Sequence, residues 1–166
     1  IMGSNISLSD TIDGGAGTDS VTGTIGVATA QGFASISNVE NATFDFTAAG
    51  SFNAANTSMT VINVTAGTGV AATVNNIATG QRIDLEDTHL DGVTLDYAAD
   101  ATASIQTGIS TAITTDALTV TDAQTVNITT AGGADSAFDA VTLDATDTDF
   151  LTVTAGVAAS GLTATG

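Results

Sequence analysis

A short glycine-rich stretch near the start of the chain has the residue types and the spacing of a calcium site. Residues 14–22 read Gly-Gly-Ala-Gly-Thr-Asp-Ser-Val-Thr, which agrees with the nine-residue repeat G-G-x-G-x-D-x-U-x (U, apolar) at every fixed position. Glycines permit a tight turn that aims backbone carbonyls inward, and Asp19 adds a carboxylate. Calcium prefers hard oxygen ligands of both kinds. We therefore expect a calcium-binding turn that is formed by Gly14, Gly15, Gly17 and Asp19.

The nine residues that precede this turn repeat its pattern in a degraded form. Asp10 falls at the aspartate position and Ile12 at the apolar position, whereas the glycines are missing. A site of this kind is completed by the turn of a neighbouring coil, so we expect Asp10 and Asp13 to be further calcium ligands. One good repeat and one worn repeat predict one or two calcium ions.

A second acidic region follows Gly132 and Gly133. Its carboxylates belong to Asp135, Asp139, Asp144, Asp147 and Asp149. Carboxylates that are crowded on loops repel one another unless a cation lies between them. Asp135 and Asp139 are therefore candidate metal ligands, and a solvated acidic surface is the alternative.

The composition limits the classes of protein to which the chain can belong. Its 166 residues carry 18 acidic side chains against one Lys or Arg, which gives a net charge of −17. Such a surface suits divalent cations, and it repels nucleic acid and anionic membranes, which are bound through Lys and Arg. Hydrophobic residues make up 43% of the chain, which is enough for a core and argues against disorder.

Other features of the composition concern stability and export. The chain contains no cysteine, so disulfides and thiol chemistry are excluded and calcium is the expected stabiliser. No apolar run approaches the length of a membrane span, and no signal peptide is evident. The strand pattern is unfinished at the last residue, so we expect a piece of a longer protein.

The elements that must position these groups are short strands. Phe44 and Phe46 alternate with polar residues, which is the period of a strand with one buried face. The same U-x-U core, two apolar residues around an outward Thr, Asn or Asp, then recurs. It occurs in residues 60–65, 72–75, 82–86, 92–96, 117–121, 125–129, 140–144 and 150–154. The β-branched content and the spacing of roughly eight to twelve residues both favour strands.

Two all-β architectures use strands at this spacing, an antiparallel β-sandwich and a parallel β-helix, or β-solenoid. We favour the β-solenoid, because the strands are near-identical and pairs of them recur about every 22 to 25 residues, a plausible coil length. The composition changes near residues 26–32, which divides the chain into a calcium-binding segment, 1–26, and a strand array, 27–166. Within 98–115 the pattern weakens, and isoleucines four residues apart predict a short helical turn or a wide loop.

The order of these motifs resembles that of bacterial surface-layer proteins and of related RTX-type calcium-binding adhesins. Family phrases of the form NVENxTxT, NxTxLTxLNVTGTG and GVTTLDxxA have counterparts in residues 38–47, 56–69 and 92–98. The resemblance covers most of the chain and is most specific at the calcium repeat. It implies a right-handed β-solenoid, bound Ca²⁺, type I secretion without an N-terminal signal, and a structural role in the extracellular S-layer at the cell surface.

The resulting expectation is a calcium-dependent structural component that assembles with copies of itself and is not an enzyme. Cell-surface polysaccharide is a further expected partner, whereas nucleic acid and membrane insertion are not expected. A calcium-dependent adhesin is one alternative. A polysaccharide lyase or epimerase is another, because Arg82, His89 and Tyr97 lie close in sequence and such enzymes neutralise a uronate and move a proton with these residue types.

A third alternative comes from threonines. Thr119 and Thr121, and again Thr152 and Thr154, stand two residues apart, so both members of a pair face outward from a strand. Regular T-x-T ladders occur in ice-binding solenoids. In this chain Asn, Asp and Ala interrupt the ladder.

Overall fold

The computed structural model describes residues 2–3, 10–26, 30–32, 35–86, 90–107, 114–130, 137–144, 150–155 and 164–165. Within these ranges the chain forms strands and no helix, so no helix there could cross a membrane. The strands are β1 Met2–Gly3, β2 Thr11–Asp13, β3 Ser20–Ile25, β4 Ala30–Gly32, β5 Ser35–Ser37, β6 Asn41–Phe46, β7 Gly50–Asn53, β8 Val61–Ala66, β9 Val70–Ile77, β10 Arg82–Leu85, β11 Leu90–Thr107, β12 Thr114–Thr130, β13 Ala137–Leu143, β14 Phe150–Ala155 and β15 Ala164–Thr165.

Every strand pairing among the described residues is parallel, and the strands stack as a β-solenoid of about five turns. Thr22 pairs with Thr43, Thr43 with Asn63 and Asn63 with Asp84, so partners lie one coil apart, about 20 to 25 residues along the chain. The predicted parallel β-helix is confirmed and the antiparallel sandwich is wrong. The right-handed winding stays a prediction.

Two faces of the solenoid carry most of the pairing. The first face consists of β1, β3, β6, β8, β10, the second halves of β11 and β12, and β14. The second face consists of β4, β7, β9, the first halves of β11 and β12, β13 and β15. A short third side is formed by β2 and β5, which a bridge from Ile36 to Thr57 extends by one coil.

The core lies between the faces and consists of files of apolar side chains that run from coil to coil. The central file of the first face contains Ile62, Ile83, Ile105 and Ile128, each buried and each paired with the next. The rings of Phe44 and Phe52 bridge the two faces, with centroids 4.3 Å apart. The U-x-U pattern therefore produces the core directly, because alternate side chains of a strand point to one side.

Asparagine and aspartate occupy the corners of the coils. Positive φ angles near 60° occur at Asn38, Asn56, Asn76, Asp100 and Asp122. Apart from glycine, these two residue types adopt the left-handed conformation most readily. Their abundance in this chain thus has a structural use that is independent of metal binding.

The predicted helical turn or wide loop within residues 98–115 is wrong for residues 98–107, which belong to β11. Ala101, Ala103 and Ile105 are buried there, and the polar residues between them are more exposed. Small alanines fill inward positions where the sequence offers no large apolar residue. The other two isoleucines of the proposed helical spacing, Ile109 and Ile113, lie outside the described residues.

Candidate functional site

The glycine turn, residues 14–19, connects the third side of the solenoid to the first face. It follows β2 and precedes β3, and those strands pair with β5 and β6 of the next coil. In that next coil residues 38–40 alone make the same connection. The glycine turn is therefore a local enlargement of one coil, stacked on a shorter turn. Because β3 pairs along its whole length with β6, segment 1–26 is joined to the strand array through one continuous sheet.

The backbone of the turn explains why each of these positions is a glycine. The N–H of Gly14 donates a hydrogen bond to the carbonyl oxygen of Ser37 at 3.0 Å, and a Cβ at Gly14 would overlap the carbonyl oxygen of Asn38. Gly15 and Gly17 have φ angles of 86° and 128°. These are angles that glycine adopts without a steric cost. The glycines would be needed in this turn with or without an ion.

Asp13 fastens the glycine turn to the coil beside it. Its Oδ1 accepts hydrogen bonds from the N–H of Gly15 at 3.0 Å and from Nδ2 of Asn38 at 2.8 Å. The hydrogen bond from Asn38, followed by that from Gly15, lowers the pKa of the Asp13 carboxyl below its usual 3.8, since both favour the charged form. Asp13 is exposed, so this anchor is in contact with solvent.

Backbone hydrogen bonds to the neighbouring coil fix the position of Asp19. One oxygen of its carboxylate has no hydrogen-bond partner among the described residues and could bind an ion. Its N–H donates to Oε2 of Glu40 at 2.8 Å, and its carbonyl oxygen accepts from the N–H groups of Glu40 and Asn41 at 3.2 and 3.1 Å. Oδ2 of Asp19 is buried and has no hydrogen-bond partner among the described residues. A buried carboxylate oxygen without a donor is costly, and a bound cation would satisfy it.

Glu40 is the residue of this site that the sequence reasoning missed. It contributes a second carboxylate from the next coil, directly beside the backbone of Asp19. The signal that could have found it is its distance of one coil length from Asp19, combined with its place in the Asn-Val-Glu-Asn phrase. Glu40 shows that the neighbouring coil on this side meets the turn with one acidic side chain.

The other predicted metal ligands do not form a cluster among the described residues. Among the described residues no three side chains of the His, Cys, Asp or Glu type are grouped at metal-binding distance. Asp10 is described but belongs to no such group. Asp135 lies outside the described residues, and Asp139 lies in β13 with its side chain undescribed. The N–H of Asp144 bonds to the carbonyl oxygen of Val120 at 3.1 Å, which places Asp144 at the end of β13.

The described residues of the lyase or epimerase alternative, Arg82 and Tyr97, make structural contacts. Arg82 binds Asp84 on its own strand through Nε and Nη2, both at 2.7 Å, and the Asp84 side chain is only 3% exposed. Arg82 thus pairs with a neighbouring carboxylate, and its hydrogen bonds to Asp84 raise the pKa of the guanidinium. Tyr97 lies in the core, where burial raises its pKa and its hydroxyl lacks a well-formed hydrogen bond within the described chain. His89 lies outside the described residues.

Threonines form a file across coils on the second face. Thr73, Thr94, Thr119 and Thr142 pair in sequence on four successive coils, and each directly follows a buried residue on its strand. The file beside it is mixed. It contains the paired residues Asp96 and Thr121, and the hydroxyl of Thr121 donates to Oδ1 of Asp96 at 3.1 Å. The regular row of threonines therefore runs from strand to strand across the coils. It does not run along a strand in T-x-T pairs.

Comparisons with protein-family models, with curated proteins and with solved structures find no match to this chain. The class of protein that the structure defines is therefore the parallel β-solenoid, recognised from its own strand pairing.

Proposed function

We propose that this chain is a calcium-stabilised structural segment of a bacterial surface layer. The observation that carries the calcium proposal is the buried Oδ2 of Asp19, which lies in a turn that fits the calcium repeat and has no donor in the described structure. The net charge of −17 supports a function that depends on divalent cations. The same proposal includes an extracellular location, type I secretion and assembly with further copies of the chain.

Asp19 would bind the ion through its carboxylate. Backbone carbonyls of the turn are the further ligands that this chain offers, since calcium accepts carbonyl and carboxylate oxygens together. Bound calcium would neutralise the acidic side chains of the turn and tie the first coils together. Because such an ion binds only the folded turn, its binding free energy adds to the stability of the fold.

The role proposed here is mechanical and not catalytic. The guanidinium of Arg82 is already engaged by Asp84, and the hydroxyl of Tyr97 lies in the core. Neither group is presented to a polymer in a shared groove. This arrangement favours the structural role over the lyase or epimerase alternative.

A calcium titration with matched variants tests the proposal. The free energy of unfolding of the wild type, Asp19→Asn and Asp45→Asn is measured with calcium, with magnesium and with a chelator. At a calcium concentration of 100 times the dissociation constant, we expect a gain of about 2.7 kcal/mol in the wild type. Asp45 is a control, because it is an acidic residue on the first face that lies away from the turn.

The expected pattern is a calcium-specific gain that Asp45→Asn keeps and Asp19→Asn loses. An equal stability of the wild type in calcium and in chelator would contradict the calcium proposal. An equal gain in Asp19→Asn and in the wild type would place the ion elsewhere and remove the observation on which the proposal rests.

Ice binding is a second candidate function, and the threonine file of the second face favours it. Thr73, Thr94, Thr119 and Thr142 repeat at the spacing of adjacent strands, roughly 4.8 Å. A regular row of hydroxyl and methyl groups on a flat sheet can order water in register with ice. Thermal hysteresis measured on the wild type and on Thr94→Lys distinguishes the candidates. Its absence in the wild type excludes ice binding.

A further inference from the structure

The backbone contacts between coils repeat at the point where each coil enters the first face. Asp19, Glu40 and Thr60 stand at the same position of three successive coils, directly before β3, β6 and β8, whose first residues pair. The carbonyl oxygen of Asp19 accepts from the N–H groups of Glu40 and Asn41 at 3.2 and 3.1 Å. The carbonyl oxygen of Glu40 accepts in the same way from Thr60 and Val61, at 2.9 and 3.0 Å. These hydrogen bonds belong to the repeat and stack one coil on the next.

One contact at this position does not follow the repeat. The N–H of Asp19 donates to Oε2 of Glu40 at 2.8 Å, so a side chain of the later coil holds the backbone of the earlier coil. At the equivalent position of the next pair of coils, the hydroxyl of Thr60 instead donates to the carbonyl oxygen of Glu40 at 3.2 Å. The carboxylate contact is thus an addition to the repeat, and it lies at the residue that closes the glycine turn.

This added contact fixes the backbone that carries the Asp19 carboxylate. A hydrogen bond to a carboxylate is stronger than one between two neutral groups, and this one is partly buried, so solvent weakens it less. The N–H and the carbonyl oxygen of Asp19 are both bound to residues 40 and 41, which holds the main chain on two sides. The buried Oδ2, which has no hydrogen-bond partner in the described chain, is therefore carried by a backbone that is fixed before an ion binds.

We infer that Glu40 is the positioning residue of the calcium turn, and that it acts through the backbone of Asp19 without binding the ion itself. This inference rests on the calcium site of the proposed function and adds to it a residue of the neighbouring coil. A ligand that is held in place beforehand loses little conformational freedom when the ion binds, and this raises the affinity. The calcium affinity of one coil thus depends on the coil that is stacked against it.

The contacts of Glu40 favour positioning over direct binding of the ion. Its Oε2 is already engaged by the N–H of Asp19. Among the described residues, Asp19 and Glu40 do not join a third acidic or histidine side chain in a group at metal-binding distance. The two roles depend on different properties of the side chain. An amide in place of the carboxylate keeps an acceptor oxygen for the N–H of Asp19, but it lacks the charge of a calcium-binding carboxylate.

Calorimetric titration of the full chain with calcium separates the two roles. The dissociation constant is measured for the wild type, Glu40→Gln and Glu40→Ala, well below the unfolding temperature of each protein in chelator. The buffer contains about 1 M NaCl, at which the Debye length is about 3 Å, so a charge that does not touch the ion is screened. We expect Glu40→Ala to weaken binding about tenfold or more, because it loses a hydrogen bond to a charged group. Glu40→Gln should stay within about threefold of the wild type, because its amide oxygen still accepts.

Thr60→Val is the matched control, because it removes the side-chain contact at the equivalent position of the next coil and leaves the glycine turn unchanged. We expect it to bind calcium as the wild type does. Equal binding by Glu40→Ala and the wild type would overturn the inference. The same holds if Glu40→Gln or Thr60→Val binds as weakly as Glu40→Ala, since the charge or any contact between coils would then account for the loss. A wild type that binds no calcium would instead contradict the proposed function itself.

Amide hydrogen exchange measured by NMR tests the contact itself, without calcium and even if Glu40→Ala fails to fold. In chelator the N–H of Asp19 should exchange slowly in the wild type and in Glu40→Gln, because both side chains offer it an acceptor. The N–H of Gly15 is the reference and should exchange faster, because its hydrogen bond to Asp13 is exposed. Exchange at Asp19 that is as fast as at Gly15 in the wild type would overturn the inference, whatever the calcium titration shows.

Discussion

The glycine turn and β14 lie towards opposite ends of the described coil stack, and they contact the same core in different ways. At the glycine turn the described core residues Val21 and Ile25 are covered, and the contacts between coils are hydrogen bonds to Asp13 and Asp19. At β14 the core file ends on the half-exposed Val153, and the strand carries no charge. The glycine turn thus meets its neighbouring coil through charged and polar groups, whereas β14 presents apolar side chains.

This difference shows that the repeated core does not determine the surface chemistry of each region of the solenoid. Each inner file can continue for as long as coils are added, because each coil contacts its neighbours alone. The local residues differ between the two regions: they are acidic and glycine-rich at the glycine turn, and apolar and uncharged in β14.

The substitution with the largest expected effect tests whether the stability of both regions depends on the central isoleucine file. Ile83→Ala removes a fully buried side chain from the middle of the stack, between Ile62 and Ile105. The expected loss in the free energy of unfolding is about 2–5 kcal/mol, from lost burial and from the cavity that remains. Denaturant unfolding measures the loss, and hydrogen exchange reports protection at each end.

If the coils form one cooperative unit, Ile83→Ala lowers the protection of β3 and of β12 together. Thr22→Ala, an exposed residue on the outer side of β3, is the control, and we expect little change in stability because most surface substitutions have small effects. Loss of protection at one end alone would show that the two ends unfold independently.

An intermediate effect concerns the glycine end alone. Gly14→Ala introduces a Cβ that would overlap the carbonyl oxygen of Asn38, so the turn must move away from the coil beside it. We expect a loss on the order of 1–3 kcal/mol, as for other forced overpacking. Hydrogen exchange should increase most near β2 and β3, the strands that the turn connects.

The control for that prediction is Gly15→Ala. Gly15 has a φ angle of 86° but no heavy atom near the added Cβ, so the conformational cost alone remains. A left-handed alanine costs about 1–2 kcal/mol. A Gly14→Ala variant that is as stable as the wild type would contradict the close approach to Asn38.

The sequence predicts the strands well, because their period of two is a local property. Each U-x-U core became a strand, and the coil length could be read from the recurrence of strand pairs. The strand at residues 98–107 was not predicted, because alanines such as Ala101 and Ala103 do not stand out as apolar core residues although they fit a narrow core. The spacing of isoleucines by four favoured a helix, and the pairing between β11 and β12 prevailed.

The candidate site was harder to predict, because its partners lie one coil apart in sequence. The glycines and Asp19 could be named from a local motif, whereas the contact with Glu40 depends on a coil length that varies between about 20 and 25 residues. The threonine file was hard to predict for the same reason, because it also depends on the coil length. Thr94 and Thr119 meet because an intervening coil has a particular length, which no short motif records.

The smallest expected effect is the pH dependence of the glycine end. Hydrogen bonds from Asn38 and Gly15 lower the pKa of Asp13 in the folded chain below the ordinary value of 3.8. A lowered carboxyl pKa contributes stability that is present above the unfolded value and is lost as the pH falls through the folded value. Asp13→Asn keeps an oxygen acceptor without the charge. Its stability should therefore fall less than that of the wild type when the pH is lowered below about 4. Acid unfolding curves of the two proteins in chelator measure the difference, and parallel curves would show that Asp13 does not couple the turn to pH.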